Sequence, residues 1–273
     1  MITMKKYFSD FYKYRFLLSE IVRKNIKLQY RNSVLGVFWT FLQPLLTTLV
    51  LVLVFGNLLG KDSSQVLNYP IYLLSGRLLY EFFTQSTKRA MRSVVNSASV
   101  IKKVYVPKYM YPLSNVLSTF STFLISLIVL VLFLIYYTFF SDNPPNITPY
   151  ILLSWVPIVL LFILSMGVGL ILSALEVFFK DVEYLYDVFC MLLFYATPIV
   201  YNIDQLKLDN KFISLAFEAN PLYSIVSMFR SCVLFGEMFE LSTFLYALGF
   251  SLAMLALGIL IFHKKQDKFI LHI

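Results

Sequence analysis

Whatever chemistry this sequence has is carried by charged and aromatic residues set inside apolar runs. Arg77 and Glu81 stand four apart, on one face of a helix, in a run that otherwise reads as membrane-spanning. An unpaired charge at mid-membrane costs roughly 2.5–3.5 kcal/mol on insertion scales, so these two must pair with each other or face water. They line a polar path, or they form a structural pair near an interface. Lys27 and Arg31 close a basic amphipathic segment just before the first apolar run, at headgroup depth. Cations there hold phosphate or anchor anionic lipid. Phe38, Trp39, Tyr69, Tyr72, Tyr80 and Phe83 sit in the first two apolar runs. Such rings stack on the C–H faces of sugars, and they equally form interfacial belts or plain packing. Farther on, Pro221 breaks a helix and Asn220 can cap the next one, with Arg230 placed to tie that segment to carbonyls or carboxylates. His263 and His272 lie at the C-terminal end, so no His/Asp/Glu cluster for a metal or proton relay is expected. Cys190 and Cys232 offer neither a disulfide framework nor a CxxC metal site. No catalytic residue is expected.

These residues need elements to position them. Of 273 residues, 59% are hydrophobic and only 14% charged. Ordinary soluble domains run at about 45–50% and about 25%. Five segments have no charge for 15 residues or more, and about 20 apolar residues cross hydrocarbon as a helix. A soluble enzyme, a disordered tail and a disulfide-rich secreted module are thereby excluded. The expected fold is an all-α polytopic membrane protein.

In residues 1–36, Tyr7, Phe8, Phe11, Tyr14, Leu18, Ile21, Val22 and Ile26 recur at helical spacing between eight basic residues. The spacing predicts an amphipathic interfacial helix, or else a solvated helix packed on a partner. A transmembrane domain is expected over 37–262, with six spans at about 37–59, 69–86, 109–140, 148–175, 188–203 and 241–262. Residues 263–273 form a tail. Residues 212–235 are apolar but broken by Glu218, Asn220-Pro221 and Arg230. A re-entrant helical hairpin between spans five and six is the economical reading, with a poor seventh span as its rival.

With six spans, 18 Lys and Arg fall on the side of both termini, counting the 88–108 loop, and four on the other. The positive-inside rule then places both termini in the cytoplasm. The net charge of +8 is thus a topological signal, and no nucleic-acid partner is expected. Gly56 to Asp62 looks superficially like a phosphate loop, but only three residues separate its glycines and Asp62 replaces the Ser/Thr that would hold magnesium.

Tyr30-Arg31-Asn32-Ser33-Val34-Leu35-Gly36, then Trp39 and Gln43-Pro44-Leu45, resembles the opening of the membrane subunits of ABC exporters for polysaccharides and polyol phosphates. These are the O-antigen, capsule and teichoic-acid permeases. Ser75-Gly76 with Tyr80 and Phe82-Phe83 is similar to their second span, with Tyr80 where Trp is common. Asn96 to Ile101 with Lys102-Lys103-Val104-Tyr105-Val106-Pro107 resembles their cytoplasmic loop. Lys180-Asp181 stands where Arg-Asp is usual, and Tyr195-Ala196-Thr197-Pro198-Ile199 and Asn220-Pro221-Leu222 resemble the fifth span and hairpin. Glu81 lies outside the family pattern.

The resemblance implies a permease subunit in a bacterial cytoplasmic membrane, working as a homodimer with a separate pair of ABC ATPase subunits. ATP and magnesium would bind to those partners, and this chain would hold no cofactor. The implied substrate is a glycan or polyol phosphate on an undecaprenyl pyrophosphate lipid. Lys27 and Arg31 are then candidates for its headgroup. Phe38, Trp39, Tyr69, Tyr72, Arg77, Tyr80, Glu81 and Phe83 are candidates for the channel wall. Arg92, Asn96, Ser97, Ser99, Lys102 and Lys103 in the 88–108 loop would couple to the ATPase, and Asn220, Pro221 and Arg230 would gate the outer exit. A drug or small-molecule exporter permease of the same superfamily is the first rival, and a membrane-embedded glycosyl- or phosphotransferase the second.

Overall fold

The computed structural model describes residues 4–31, 33–58, 68–141, 144–201, 217 and 219–272. Ten α-helices lie among them: α1 (Met4–Tyr30), α2 (Trp39–Leu58), α3 (Tyr69–Asn96), α4 (Ala98–Ile101), α5 (Met110–Phe140), α6 (Trp155–Phe178), α7 (Val182–Ala196), α8 (Pro221–Arg230), α9 (Leu241–Lys265) and α10 (Phe269–His272). No strand occurs among the described residues. Four helical segments are long and apolar enough to cross a membrane: Gly36–Val54, Met110–Phe140, Pro149–Phe178 and Leu241–His272. The 31 residues of α5 reach about 46 Å at 1.5 Å per residue, beyond the roughly 30 Å of a hydrocarbon core. The 15 residues of α7 reach only about 22 Å.

The core is built on α3. It packs on α5 and α6, while α6 packs in turn on α9. Ile71, Leu74, Leu79, Phe82, Val116, Leu161, Leu164, Ile225 and Phe229 meet there. Small residues set the closest approach. A Cβ on Gly258 would stand 2.5 Å from the Gly167 carbonyl oxygen, and one on Gly167 would stand 2.5 Å from the backbone of Met254 and Leu255. In lipid, where apolar burial gives helices little reason to associate, such backbone-to-backbone contact is what holds them. The exposed apolar side chains fit a bundle in hydrocarbon: Ile128, Val131, Ile135, Leu185, Leu192, Leu252 and Leu260 all face outward.

Pro44 lies inside α2. Proline has no N–H, so the Thr40 carbonyl one turn earlier loses its usual donor. The Ser126 hydroxyl of α5 donates to Thr40 O at 3.0 Å and fills that vacancy. Ser126→Ala is therefore expected to loosen α2 from α5 by about 0.5–1 kcal/mol, read as a lower melting temperature of the purified protein. Ser126→Thr, which keeps the hydroxyl, should restore it.

Several boundaries differ from the sequence reading. The first nine residues of the expected 88–108 loop continue α3 as helix to Asn96, because Lys88, Arg89 and Arg92 all find partners on neighbouring helices. The fifth apolar segment begins its helix at Val182, six residues early, since Asp181 and Glu183 favour a helix N-terminus. Pro149–Ser154 forms a 3-10 turn before α6. The tail is helical and docked: Phe269 is fully buried against Phe178 and Phe262, and Lys108 Nζ donates to Gln266 O at 2.5 Å. One arm of the expected hairpin, 212–216 with 218, and residues 202–203 of the fifth segment lie outside the described residues.

Candidate functional site

The polar side chains of the bundle converge on the segment after α7, residues 196–201. Asn220 caps α8, its Oδ1 accepting from Leu222 N at 3.0 Å. Its Nδ2 donates to Ala196 O at 3.1 Å and Thr197 Oγ1 at 3.0 Å. Arg230, at the far end of α8 and 3% exposed, donates to Pro198 O at 2.7 Å, Tyr72 O at 3.0 Å and Ile199 O at 3.2 Å. Its guanidinium carbon lies 3.4 Å above the centre of the Tyr72 ring. Carbonyl dipoles and a π face together replace the water that a buried cation loses. Gly76 makes the space: a Cβ there would stand 2.4 Å from Arg230 Nη2.

The α3 tyrosines complete this node. Tyr69 donates to Val200 O at 3.0 Å, Tyr72 to Tyr201 O at 3.0 Å, and Tyr80 to Cys190 O at 2.6 Å. Each hydroxyl thus bonds α7 or the segment that follows it. Phe83 is buried in the core. Phe38 and Trp39 are exposed at the start of the first apolar helix, with Phe38 stacked on Phe41.

Arg77 Nη2 and Glu81 Oε1 pair at 2.6 Å, with 14% and 26% of their side chains exposed. They form one wall of a cavity of about 470 Å³ between α2, α3 and α7, whose other walls include Leu46, Val50, Leu51, Phe194 and Val200. The pair is self-neutralised but reaches that space. A second cavity, about 590 Å³, lies between α1 and α5, with Leu18, Val22 and Ile26 in its wall and Arg23 and Lys27 beside them. Arg31 is exposed just beyond α1.

At the opposite end of α3, basic residues hold two other helices. Lys88 pairs with Asp187 at 2.7 Å, and Arg92 with Glu183, both on α7. Arg89 Nη1 donates to Gln29 Oε1 of α1 at 2.8 Å. Burial lowers the Arg89 pKa, while nearby Tyr30 opposes that shift. Arg92, read from sequence as an ATPase contact, is thus engaged within its own chain. Asn96 and Ser99 are exposed and Ser97 is half-buried around α4. Lys102, Lys103, Val104 and Tyr105 project beyond it, Tyr105 with 87% of its surface free. Arg92→Glu should weaken the α3–α7 contact by about 0.5–1 kcal/mol, and adding Glu183→Arg should recover much of that loss in a double-mutant cycle.

Sequence reasoning placed Thr197 in a motif without a role and missed Gln29, Ser126 and Tyr186, whose hydroxyl donates to Thr87 Oγ1 at 2.7 Å. Thr197 and Ser126 are polar residues in apolar runs, which is a signal for finding them, whereas Gln29 and Tyr186 lie among charged residues and give none. Asn146 and Thr148 also gain a role: their side chains donate to Phe235 O at 3.3 Å and Gly236 O at 2.9 Å, fixing the end of the α8 segment.

A bundle with four helices long and apolar enough to cross a membrane, braced by polar side chains, is an all-helical membrane protein. The chain belongs to the ABC-2 type transporter family, which residues 17–234 match. It is 31% identical over 259 residues to an O-antigen export system permease protein, RfbA, of Klebsiella pneumoniae, covering 93% of each chain. An RfbA of Myxococcus xanthus is 26% identical over 95% of this chain and 96% of its own length. The polysialic acid transport protein KpsM of Escherichia coli is 20% identical over 89% of this chain and 91% of its own.

Proposed function

We propose that this chain is the permease subunit of an ATP-driven exporter that moves a lipid-linked polysaccharide or polyol phosphate across a bacterial cytoplasmic membrane. The likeness to O-antigen export permeases over more than nine-tenths of both chains carries the reading. In this reading two copies form a homodimer and meet a separate pair of ATPase subunits, which bind ATP and magnesium. The chain itself binds no cofactor and catalyses no reaction.

Six spans follow if α3 and α7 join the four long apolar helices, α3 with its charges paired and α7 extended by residues 197–201. Both termini then face the cytoplasm, as the concentration of Lys and Arg at that end supports. Helix α1 lies in the interface, and α8 is one arm of a re-entrant hairpin. The exposed knuckle around Lys102, Lys103 and Tyr105 docks in the ATPase. Lys27, exposed in the wall of the α1–α5 cavity, and Arg31, exposed just beyond α1, meet the pyrophosphate of an undecaprenyl-linked substrate. The cavity walled by Arg77, Glu81 and Tyr80 opens on the glycan path.

Deleting the gene should abolish the surface polysaccharide, and the native chain should restore it and co-purify with an ATPase. Surface glycan that persists in the deletion strain sinks the reading. Arg31→Ala separates it from small-molecule export, which needs no phosphate site and would continue unchanged.

A further inference from the structure

A third cavity, of about 590 Å³, lies between α8 and the start of α9. That volume falls in the range of about 300–1,000 Å³ that takes small ligands. Unlike the two cavities above, it is walled by hydroxyls and carboxylates. Ser227 and Ser231 stand on one side, Glu237 and Glu240 on the other, and Tyr223 and Tyr246 supply rings. Among the described residues that line it there is no Lys, Arg or His.

The frame that holds these groups is rigid. A π turn, Ser231–Phe235, ends α8, and Gly236 then takes φ +65, where an L side chain is strained. A Cβ on Gly236 would stand 2.4 Å from Asn146 O, and Glu237 N donates to Ser231 O at 3.0 Å. The chain carrying both glutamates thus turns sharply out of α8, with Asn146 and Thr148 donating to Phe235 O and Gly236 O at the turn. Tyr246 is fixed by its hydroxyl on Ala219 O at 2.6 Å, and Ser242 donates to Glu240 Oε2 at 3.2 Å.

Paired carboxylates accept hydrogen bonds from vicinal hydroxyls, serine hydroxyls give and accept, and a ring face meets sugar C–H groups. The same carboxylates repel a phosphate or an acidic sugar, and no base among the described lining residues offsets them. We propose that this cavity is a binding site for uncharged sugar residues, so that the exported polymer is a neutral glycan rather than a polyol phosphate or polyanion. The inference rests on the export reading above and narrows its substrate class.

The test uses the permease–ATPase complex in nanodiscs and saturation-transfer NMR, with two probes: a neutral glucan heptasaccharide and the same glucan sulfated. The neutral probe should bind and the sulfated one should not. Ser227→Trp, which fills the cavity, should abolish the signal at an unchanged melting temperature. Glu237→Lys with Glu240→Lys should shift the preference at least tenfold toward the sulfated probe. Equal or better binding of the sulfated glucan to the native complex overturns the inference, as does neutral binding that survives Ser227→Trp. The deletion strain separates this from the broader reading. Loss of an anionic surface polymer there overturns the neutral-glycan inference while leaving export intact, whereas an unaltered surface overturns export itself.

Discussion

Arg230→Met should release the segment after α7 and bring glycan export down by about tenfold or more, with a loss of stability of roughly 1–3 kcal/mol. The guanidinium is the donor common to Pro198 O, Ile199 O and Tyr72 O, and it lies on the Tyr72 ring. Methionine fills much of the volume but leaves three carbonyls without this donor, in a site that excludes water. Arg230→Lys keeps the charge but lacks the planar fork, so it should fall between the two. Melting of the purified protein followed by size-exclusion chromatography reads the stability, and surface glycan in complemented cells reads the export. Equal melting temperatures for native protein and Arg230→Met would mean that these bonds carry no weight. Gly76→Val should act through the same node, because the new side chain takes the space of the guanidinium.

The second large effect is expected at the α6–α9 crossing. Gly258→Leu should destabilise by more than about 3 kcal/mol and reduce folded yield in the membrane. The group in the way is the Gly167 carbonyl, part of a helix backbone that cannot rotate aside as a side chain can. Gly249, on the same helix, has open space around a built Cβ. Gly249→Leu is the internal control and should fold normally. If both variants behave alike, helix propensity in α9 decides the outcome rather than contact with α6.

Much of the helical architecture was legible because charge-free length and helical spacing are local properties. The role of the tyrosines was not legible. A tyrosine in an apolar run reads equally as belt, packing or sugar platform, and the carbonyls that Tyr69, Tyr72 and Tyr80 meet come from more than a hundred residues away. The same holds for Arg92, whose partner Glu183 is 91 residues distant. Its position in a basic loop suggested an outside partner, and nothing local could show the acid on α7. Gly167 and Gly258 gave no sequence signal at all, since their meaning depends on the backbone that each one faces.

The bonds between α3 and α7 have a dynamic consequence. They sit at both ends of α7: Lys88–Asp187 and Arg92–Glu183 at its start, and the tyrosine hydroxyls on Cys190, Val200 and Tyr201 toward and beyond its finish. A rod fastened at one end can pivot, but one fastened at both must travel with its support. A tilt imposed on the foot of α3 is therefore expected to carry α7 with it toward residues 197–201. The ion pairs at one end are half in solvent, so added salt screens the fastening there, while the uncharged tyrosine–carbonyl bonds at the other end are not screened.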